Sequence, residues 1–247
     1  SFTMCPEMSK AIQDGFFRLY DQGLIYRGKR MVNWDIVLQT ALSDLEVSNE
    51  EGNGNLWFFK YPLVDKGHIT IATTRPETML GDTAVAVNPK DKRFKKLIGK
   101  KVLLPLSNRE IPIVGDIYVD PEFGTGCVKI TPAHDFNDFE IGKRHTLPLI
   151  NILNLDGTLN NEVPHSFQGL KILESRKKVI KEMDELQLLE KIEPYKTKIP
   201  RGDSSNSILE PLLTFQCILD LKKMSKVAIK AVNKGKTQFV HNNWENY

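Results

Sequence analysis

Cysteine is scarce in this chain. Its 247 residues include three, Cys5, Cys127 and Cys217, widely separated and with no C-x-x-C pair. That spacing argues against a disulfide framework and a cysteine-ligated zinc site, and a reducing, cytoplasmic setting is expected. No run of about 18 apolar residues occurs, so no membrane span and no membrane partner are expected. The start, Ser1-Phe2-Thr3-Met4-Cys5-Pro6-Glu7, lacks the basic and apolar regions of a signal peptide. It also lacks an initiator methionine, and the expectation is a piece of something longer. Charge of either sign is not in excess: 34 Lys+Arg against 31 Asp+Glu leave a net +3, which permits an RNA partner without arguing for one. Gly52-Asn53-Gly54 and Gly124-Thr125-Gly126 match neither G-x-G-x-x-G nor a P-loop, so they imply no nucleotide site.

With 40% hydrophobic residues the chain can bury a core. Helical spacing of Met8, Ile12, Phe16, Leu19 and Tyr20 predicts a helix over 8–24, stopped near Gly23. Residues 29–34 read as a strand and 48–55 as a polar, glycine-bearing connector. Short β runs then follow at 56–63, 69–73, 83–87, 102–106, 111–114, 127–130 and 149–153, with small helices near 92–97 and 136–144. A helix with Ile172, Val179, Ile180, Met183 and Leu186 on one face spans 172–189, residues 192–199 are extended, and 201–207 is a polar break. A last helix covers about 218–233, with Leu221, Met224, Ala228 and Val232 inward. The expected fold is α+β: a mostly β, barrel-like body with short helices, flanked by two pieces that are not part of it.

Two segments carry chemistry. In 124–138 a strand ends at Pro132 and delivers Lys129, Thr131, His134, Asp135 and Asp138 to one rim. Alternation puts Lys129 and Thr131 on one side, and Asp135 and Asp138 share a face of the following helix turn. An ammonium, a hydroxyl and two carboxylates suit a small zwitterion such as an amino acid. Capping explains Asp135 equally well, with Asp138 complementing the helix dipole. Lys129, late in an apolar strand, needs a partner if buried, and is expected to pair near those carboxylates. The second segment, Thr73-Thr74-Arg75-Pro76-Glu77-Thr78, adds hydroxyls and a cation. Thr74, Pro76 and Glu77 also read as a capping box, which leaves Thr73, Arg75 and Thr78 unexplained.

The stretch T-T-R-P-E-T-M-L-G-D-T-A-V-A-V-N-P (73–89), together with 124–145, resembles the editing domain of the valyl-tRNA synthetase (valine–tRNA ligase) family of class I enzymes. The resemblance extends into Arg18-Leu19-Tyr20, Val32-Asn33-Trp34-Asp35, residues 41–47, Leu209-Glu210-Pro211 and residues 229–232. Leucyl enzymes are similar at the arginine-bearing motif but usually carry methionine where Lys129 stands. Isoleucyl enzymes typically have T-T-T-P-W-T and a glycine after the histidine. Departures from the family pattern (Cys5, Ile36, Gln39, Cys217) all lie in the flanks.

The resemblance implies an editing domain over 51–198, a flank from a Rossmann-like catalytic domain over 1–50 and a return segment over 199–247. It implies hydrolysis of threonine misattached to tRNA(Val), with the acceptor end and the rest of the synthetase as partners. An apolar valine pocket rejects threonine by only about a hundredfold, a known property of such enzymes and the reason for a second site. Lys129, Asp135 and Asp138 would be the catalytic set, Asp138 holding the α-amino group. Thr73, Thr74, Arg75, Thr78, Thr131, His134 and Phe123 would bind substrate, Phe123 against the terminal adenosine. Editing needs no cofactor or metal, whereas the full-length parent uses ATP and Mg. Lys223-Met224-Ser225-Lys226 imitates an ATP-closing signature but falls in a helical stretch, and H-I-G-H is absent. Two other readings stay open on the residues alone. One is a metal-dependent hydrolase using His134 and Asp135. The other is a non-catalytic tRNA-docking module using basic stretches such as 90–101 and 171–181.

Overall fold

The computed structural model describes Phe2 and residues 4–240; Ser1, Thr3 and residues 241–247 of the expected return segment lie outside the described residues. Its elements are α1 (Pro6–Asp21), β1 (Ile25–Asp35), β2 (Thr40–Leu42), β3 (Val47–Pro62), β4 (His68–Thr73), β5 (Ala84–Val87), β6 (Lys101–Leu104), β7 (Arg109–Gly115), β8 (Cys127–Ile130), α2 (Phe136–Arg144), α3 (Ile172–Glu185), β9 (Leu189–Gly202), β10 (Leu209–Leu219) and α4 (Leu221–Asn233). Short 3-10 turns intervene, among them Pro76–Gly81. The protein is α+β, with three sheets of strand order β10-β1-β2, β4-β3-β9 and β6-β7-β5-β8.

The chain divides into two compact units, Ser1–Arg30 with Phe215–Tyr247, and Met31–Thr214. In the first, α1 and α4 form as the periodicity predicts, but their apolar faces are not buried. Ile12, Phe16 and Tyr20 of α1 and Leu221 of α4 are exposed, and no residue of α1 is buried. An amphipathic pattern establishes which face wants cover; it does not supply the cover.

The second unit holds the core. β5 lies between β7, parallel to it, and β8, antiparallel to it. All four of its residues are buried. Val85 and Val87 face a large cluster with Phe59, Tyr61, Ile71, Leu104, Ile113 and Phe167. Ala84 and Ala86 face a smaller one with Ile130, Ile141 and Val119. Period-two alternation thus splits one strand between two cores.

Two sequence expectations fail here. Residues 48–55 are not a connector but the first half of β3, paired residue by residue with β9 from Val47↔Gly202 onward. Their glycines serve cross-strand approach: a Cβ on Gly52 would sit 2.4 Å from the Ile199 side chain. Residues 149–153 make no strand, only an isolated bridge between Leu153 and Leu159. Ile152 and Leu153 are buried there by packing, without a neighbouring strand to pair with. β10 was not expected as a strand, because Pro211 and a mixed polar pattern mask it.

α2 is set against the turn after β8 by a second close approach. A Cβ on Gly142 would lie 2.9 Å from both Cβ and Cγ of Pro132. Gly142→Ala gains about 1 kcal/mol of helix propensity but overpacks this contact, at a typical cost of about 1–3 kcal/mol. We expect net destabilisation, read as a lower urea midpoint with an unchanged slope.

Candidate functional site

The two motif segments meet through one buried knot. Lys129, on β8, is 7% exposed. Its ammonium donates to Thr78 Oγ1 (2.7 Å), Thr131 Oγ1 (2.5 Å) and Asp82 Oδ1 (3.1 Å). Thr131 Oγ1 in turn donates to Asp82 Oδ1 (2.6 Å), Tyr61 Oη donates to Asp82 Oδ2 (2.8 Å), and Thr78 Oγ1 donates to the Arg75 carbonyl (3.0 Å). An ammonium has three protons, and here three acceptors take them. The expectation that Lys129 pairs near Asp135 and Asp138 is therefore corrected: its carboxylate is Asp82, which is fully buried. Burial pushes the Asp82 carboxyl up, and Lys129, Thr131 and Tyr61 pull against that. Three donors on one carboxylate is the geometry of an ionised pair.

Arg75 is equally committed. Its Nη1 donates to the His134 carbonyl (3.0 Å), Nη2 is paired with Glu210 of β10, and Nε lies 3.5 Å from Glu77. Arg176 of α3 holds Glu77 in a two-pronged bond, Nε to Oε2 at 2.7 Å and Nη2 to Oε1 at 2.9 Å. Burial raises the Glu77 carboxyl, but the Arg176 bond and the Arg75 charge outweigh it and the net direction is down. The capping-box reading is corrected as well. Arg75, not Thr74, occupies the N-cap position of the Pro76–Gly81 turn, with no side-chain cap, and Glu77 faces the two arginines. Thr73 Oγ1 accepts from the Arg75 amide at 3.0 Å. Of the four threonines of the 73–89 motif, Thr74 and Thr83 have hydroxyls that make no hydrogen bond among the described residues; Thr83 is buried and Thr74 is partly exposed.

Asp135 caps α2, its Oδ1 accepting from the amides of Asn137 (2.8 Å) and Asp138 (3.0 Å). Asp138, in the first turn, is 8% exposed. Its Oδ2 accepts from the Thr131 amide at 2.8 Å. Among the described residues its Oδ1 accepts nothing. Burial first, and then the neighbouring Asp135 charge, push the Asp138 carboxyl up to about 7. A carboxylate this buried and half-satisfied is an acceptor in want of a cation.

His134 is not available to a ligand. Ile152 N donates to Nε2 (2.9 Å), so Nδ1 carries the proton and donates to the Pro211 carbonyl (3.3 Å), a tautomer assigned from this network. Burial, helped by Arg75, lowers its pKa to about 3. A neutral ring with both nitrogens on backbone does not fit a metal ligand, and no group of three or more His, Cys, Asp or Glu side chains able to hold a metal occurs among the described residues. His145 pairs instead with Asp116 (2.9 Å). Phe123 is half-exposed, edge-on to Tyr195 with ring centroids 6.3 Å apart. Residues 223–226 lie inside α4, and Ser225 Oγ reaches back to the Lys222 carbonyl (3.5 Å). One turn of regular helix does not fit a loop that folds over phosphates.

Asp82, Tyr61, Glu210 and Arg176 escaped the sequence reading. Asp82 had a legible signal: it is the one charge in M-L-G-D-T-A-V-A-V, and a lone carboxylate in an apolar run needs a buried cation.

The sequence profile described as tRNA synthetases class I (I, L, M and V) matches residues 1–247, and the chain belongs to that family. Within it, the chain is similar to valine–tRNA ligases. It is 55% identical to that of Francisella tularensis subsp. tularensis (strain SCHU S4) over 246 residues and 54% identical to that of Coxiella burnetii (strain RSA 493) over 245. That of Legionella pneumophila (strain Lens) is 55% identical over 245 residues. Each alignment covers 99% of this chain and 27% of the relative, so the chain spans about a quarter of their length. A solved structure, the ternary complex of Agrobacterium radiobacter K84 agnB2 LeuRS-tRNA-LeuAMS, matches with a TM-score of 0.45 and 19% identity. It covers 85% of this chain and 34% of that one, a likeness too slight to carry weight.

Asp138 yields a stability test. Its folded pKa is raised above its unfolded value. It therefore favours the folded state fully below the unfolded pKa, and that benefit is lost as pH rises through about 7. A shift of this size is worth about 4 kcal/mol, and the helix N-terminus returns up to about 2. Asp138→Asn should thus stabilise by about 2 kcal/mol at pH 8.5 and by nothing near pH 4, read from Tm against pH.

Proposed function

We propose that the second unit is a hydrolytic proofreading site that removes threonine from mischarged tRNA(Val). The observation that carries this reading is Asp138, a buried carboxylate with one oxygen that accepts nothing among the described residues, tied through Thr131 and Lys129 to Thr78 of the threonine–arginine segment. The α-ammonium of an aminoacyl ester supplies the missing cation, through a charge-assisted bond to Oδ1. Asp135 keeps Asp138 in place by capping the same helix, and adds a second negative charge. Thr74 is the free hydroxyl that pairs with the threonine side-chain hydroxyl. Valine would leave that hydroxyl unpaired in a desolvated pocket, and the discrimination follows from that penalty.

Lys129, Thr78, Thr131, Thr73 and Arg75 act in this reading by position. Their polar atoms hold one another, and so hold the Thr74 and Asp138 segments at fixed spacing. His134 contributes through its carbonyl and its backbone-bound ring. Water attacks the ester carbonyl, a C–O bond to water forms, the acyl C–O bond to the ribose breaks, and the ribose oxygen takes a proton from the attacking water and leaves as the hydroxyl while threonine departs as the free acid. An Asp138 carboxylate bound to an ammonium is a poor proton acceptor, so its work is orientation. Phe123 stacks against the terminal adenosine.

The barrel-like body over 51–198, and flanks over 1–50 and 199–247 that complete a Rossmann-like catalytic domain, belong to the same proposal. So do the cytoplasmic setting, the acceptor end of tRNA(Val) and the rest of a synthetase in cis as partners, and ATP with Mg in a longer parent. Residues 223–226 do not fit ATP, and no step here passes through it.

Incubation of the protein with threonyl-tRNA(Val) and valyl-tRNA(Val), with release of each amino acid followed, tests the reading. Threonine should be released and valine retained, and Asp138→Ala should reduce threonine release at least about 100-fold. Equal release of both, or wild-type release by Asp138→Ala, would remove the assignment. Loss of activity on chelation would favour a metal hydrolase instead.

A further inference from the structure

β10 carries a single charged residue, Glu210, and it is 7% exposed among Leu209, Leu212 and Leu213, which are 2%, 1% and 5% exposed. A carboxylate among leucines is costly to bury, and an apolar side chain would pack there at less cost. What the carboxylate adds is direction for the cation it holds. We infer that Glu210 is a positioning residue of the proofreading site: it aims Arg75 at the His134 carbonyl, and through that peptide it sets where Asp138 presents its open oxygen. The inference rests on the proofreading reading for the reaction it serves, though not for the contacts.

Three observations converge. The first is the order of charges. Arg75 Nη2 is bonded to Glu210 Oε2, whereas Glu77 lies 3.5 Å from Nε and is itself held in two prongs by Arg176. Glu210, Arg75, Glu77 and Arg176 thus alternate in sign. Two carboxylates fix the plane of the Arg75 guanidinium, and Nη1 is left facing the His134 carbonyl at 3.0 Å. The second is what that carbonyl belongs to. It lies in the peptide that enters Asp135, the cap of α2, and Asp135 Oδ1 accepts from the Asp138 amide at 3.0 Å. A displaced peptide therefore displaces the cap and, with it, Asp138. The third is the next residue of the strand. The Pro211 carbonyl accepts from His134 Nδ1 at 3.3 Å. Two consecutive residues of β10 thus grip both motif segments, one through Arg75 and the other through His134. On this inference the site draws on the return segment as well as on 51–198.

Hydrolysis of threonyl-tRNA(Val) by the whole chain, with kcat and KM separated, tests the role. Glu210→Gln keeps the volume and removes the charge. It should lower kcat about tenfold through misplacement of Asp138 and leave KM within about twofold. Arg75→Gln should lower kcat as well, and adding Glu210→Gln to it should cost nothing further, because both act through one contact. By NMR, the amide resonances of Asp135 and Asp138 should move in Glu210→Gln while those of Lys196 and Thr197 on β9 stay in place. A lower Tm with wild-type kcat would make Glu210 a structural ion pair and overturn the inference, as would additive losses in the double variant. Glu210→Asp, which keeps the charge one methylene back, is the second variant should Glu210→Gln not fold. The same fall in kcat is expected of it, and an unchanged kcat would overturn the role. Moved Asp135 and Asp138 resonances without threonine release by wild type would keep the positioning link and sink the proofreading reading. Release by wild type with no change on substituting Glu210 would do the reverse.

Discussion

The second unit is organised around a charge that could not otherwise be buried. Lys129 sits almost without solvent in a strand between two apolar cores, and an unpaired ammonium there would cost several kcal/mol. Its three protons are met by Asp82, Thr78 and Thr131, and each of these ties down something else. Thr78 fixes the turn that carries Arg75. Asp82 engages Tyr61 in the large core. Thr131 presents its amide to Asp138. The knot is thus a register device: it permits one spacing between β8, the Pro76–Gly81 turn and the start of α2, and every polar atom at the candidate site inherits that spacing.

Around the knot stands a ring of backbone and ion-pair contacts with the same effect. Arg75 reaches Glu210 on β10 and the carbonyl of His134, and Arg176 on α3 closes on Glu77. His134 turns its ring inward to Ile152 and Pro211. Residues that look like chemistry in one dimension are largely scaffolding in three. What they leave unspent among the described residues is small: one oxygen of Asp138, the partly exposed hydroxyl of Thr74, the buried hydroxyl of Thr83 and the exposed rings of Phe123 and Phe136. In a tightly satisfied polar network such leftovers are where a ligand can bind without displacing protein contacts.

Family membership and the similarity to valine–tRNA ligases agree with the synthetase family that the motifs at 73–89 and 124–145 pointed to. The chain accounts for about a quarter of those relatives. The uncovered apolar faces of α1 and α4 belong to the first unit, and the candidate site lies wholly in the second, so the chemistry proposed here does not lean on those faces.

Local signals were enough for much of the fold. β8 and α2 fall where alternation, Pro132 and the Asp135 cap put them, and α3 and α4 follow their periodicity, because a strand end or a helix cap is decided by neighbouring residues. The conversion of 48–55 into half a long strand was not legible, since its partner lies some 150 residues away in sequence and its glycines mimic a turn. Nor could one dimension say which carboxylate answers Lys129. Spacing put Asp135 and Asp138 nearby, yet Asp82 arrives from another segment and neutralises the charge. Sequence alone determined which residue types the site would hold and the family that holds them. Only the tertiary structure decided which were already spent on each other, because a hydrogen bond is a matter of distance and direction between segments, and neither is written along the chain.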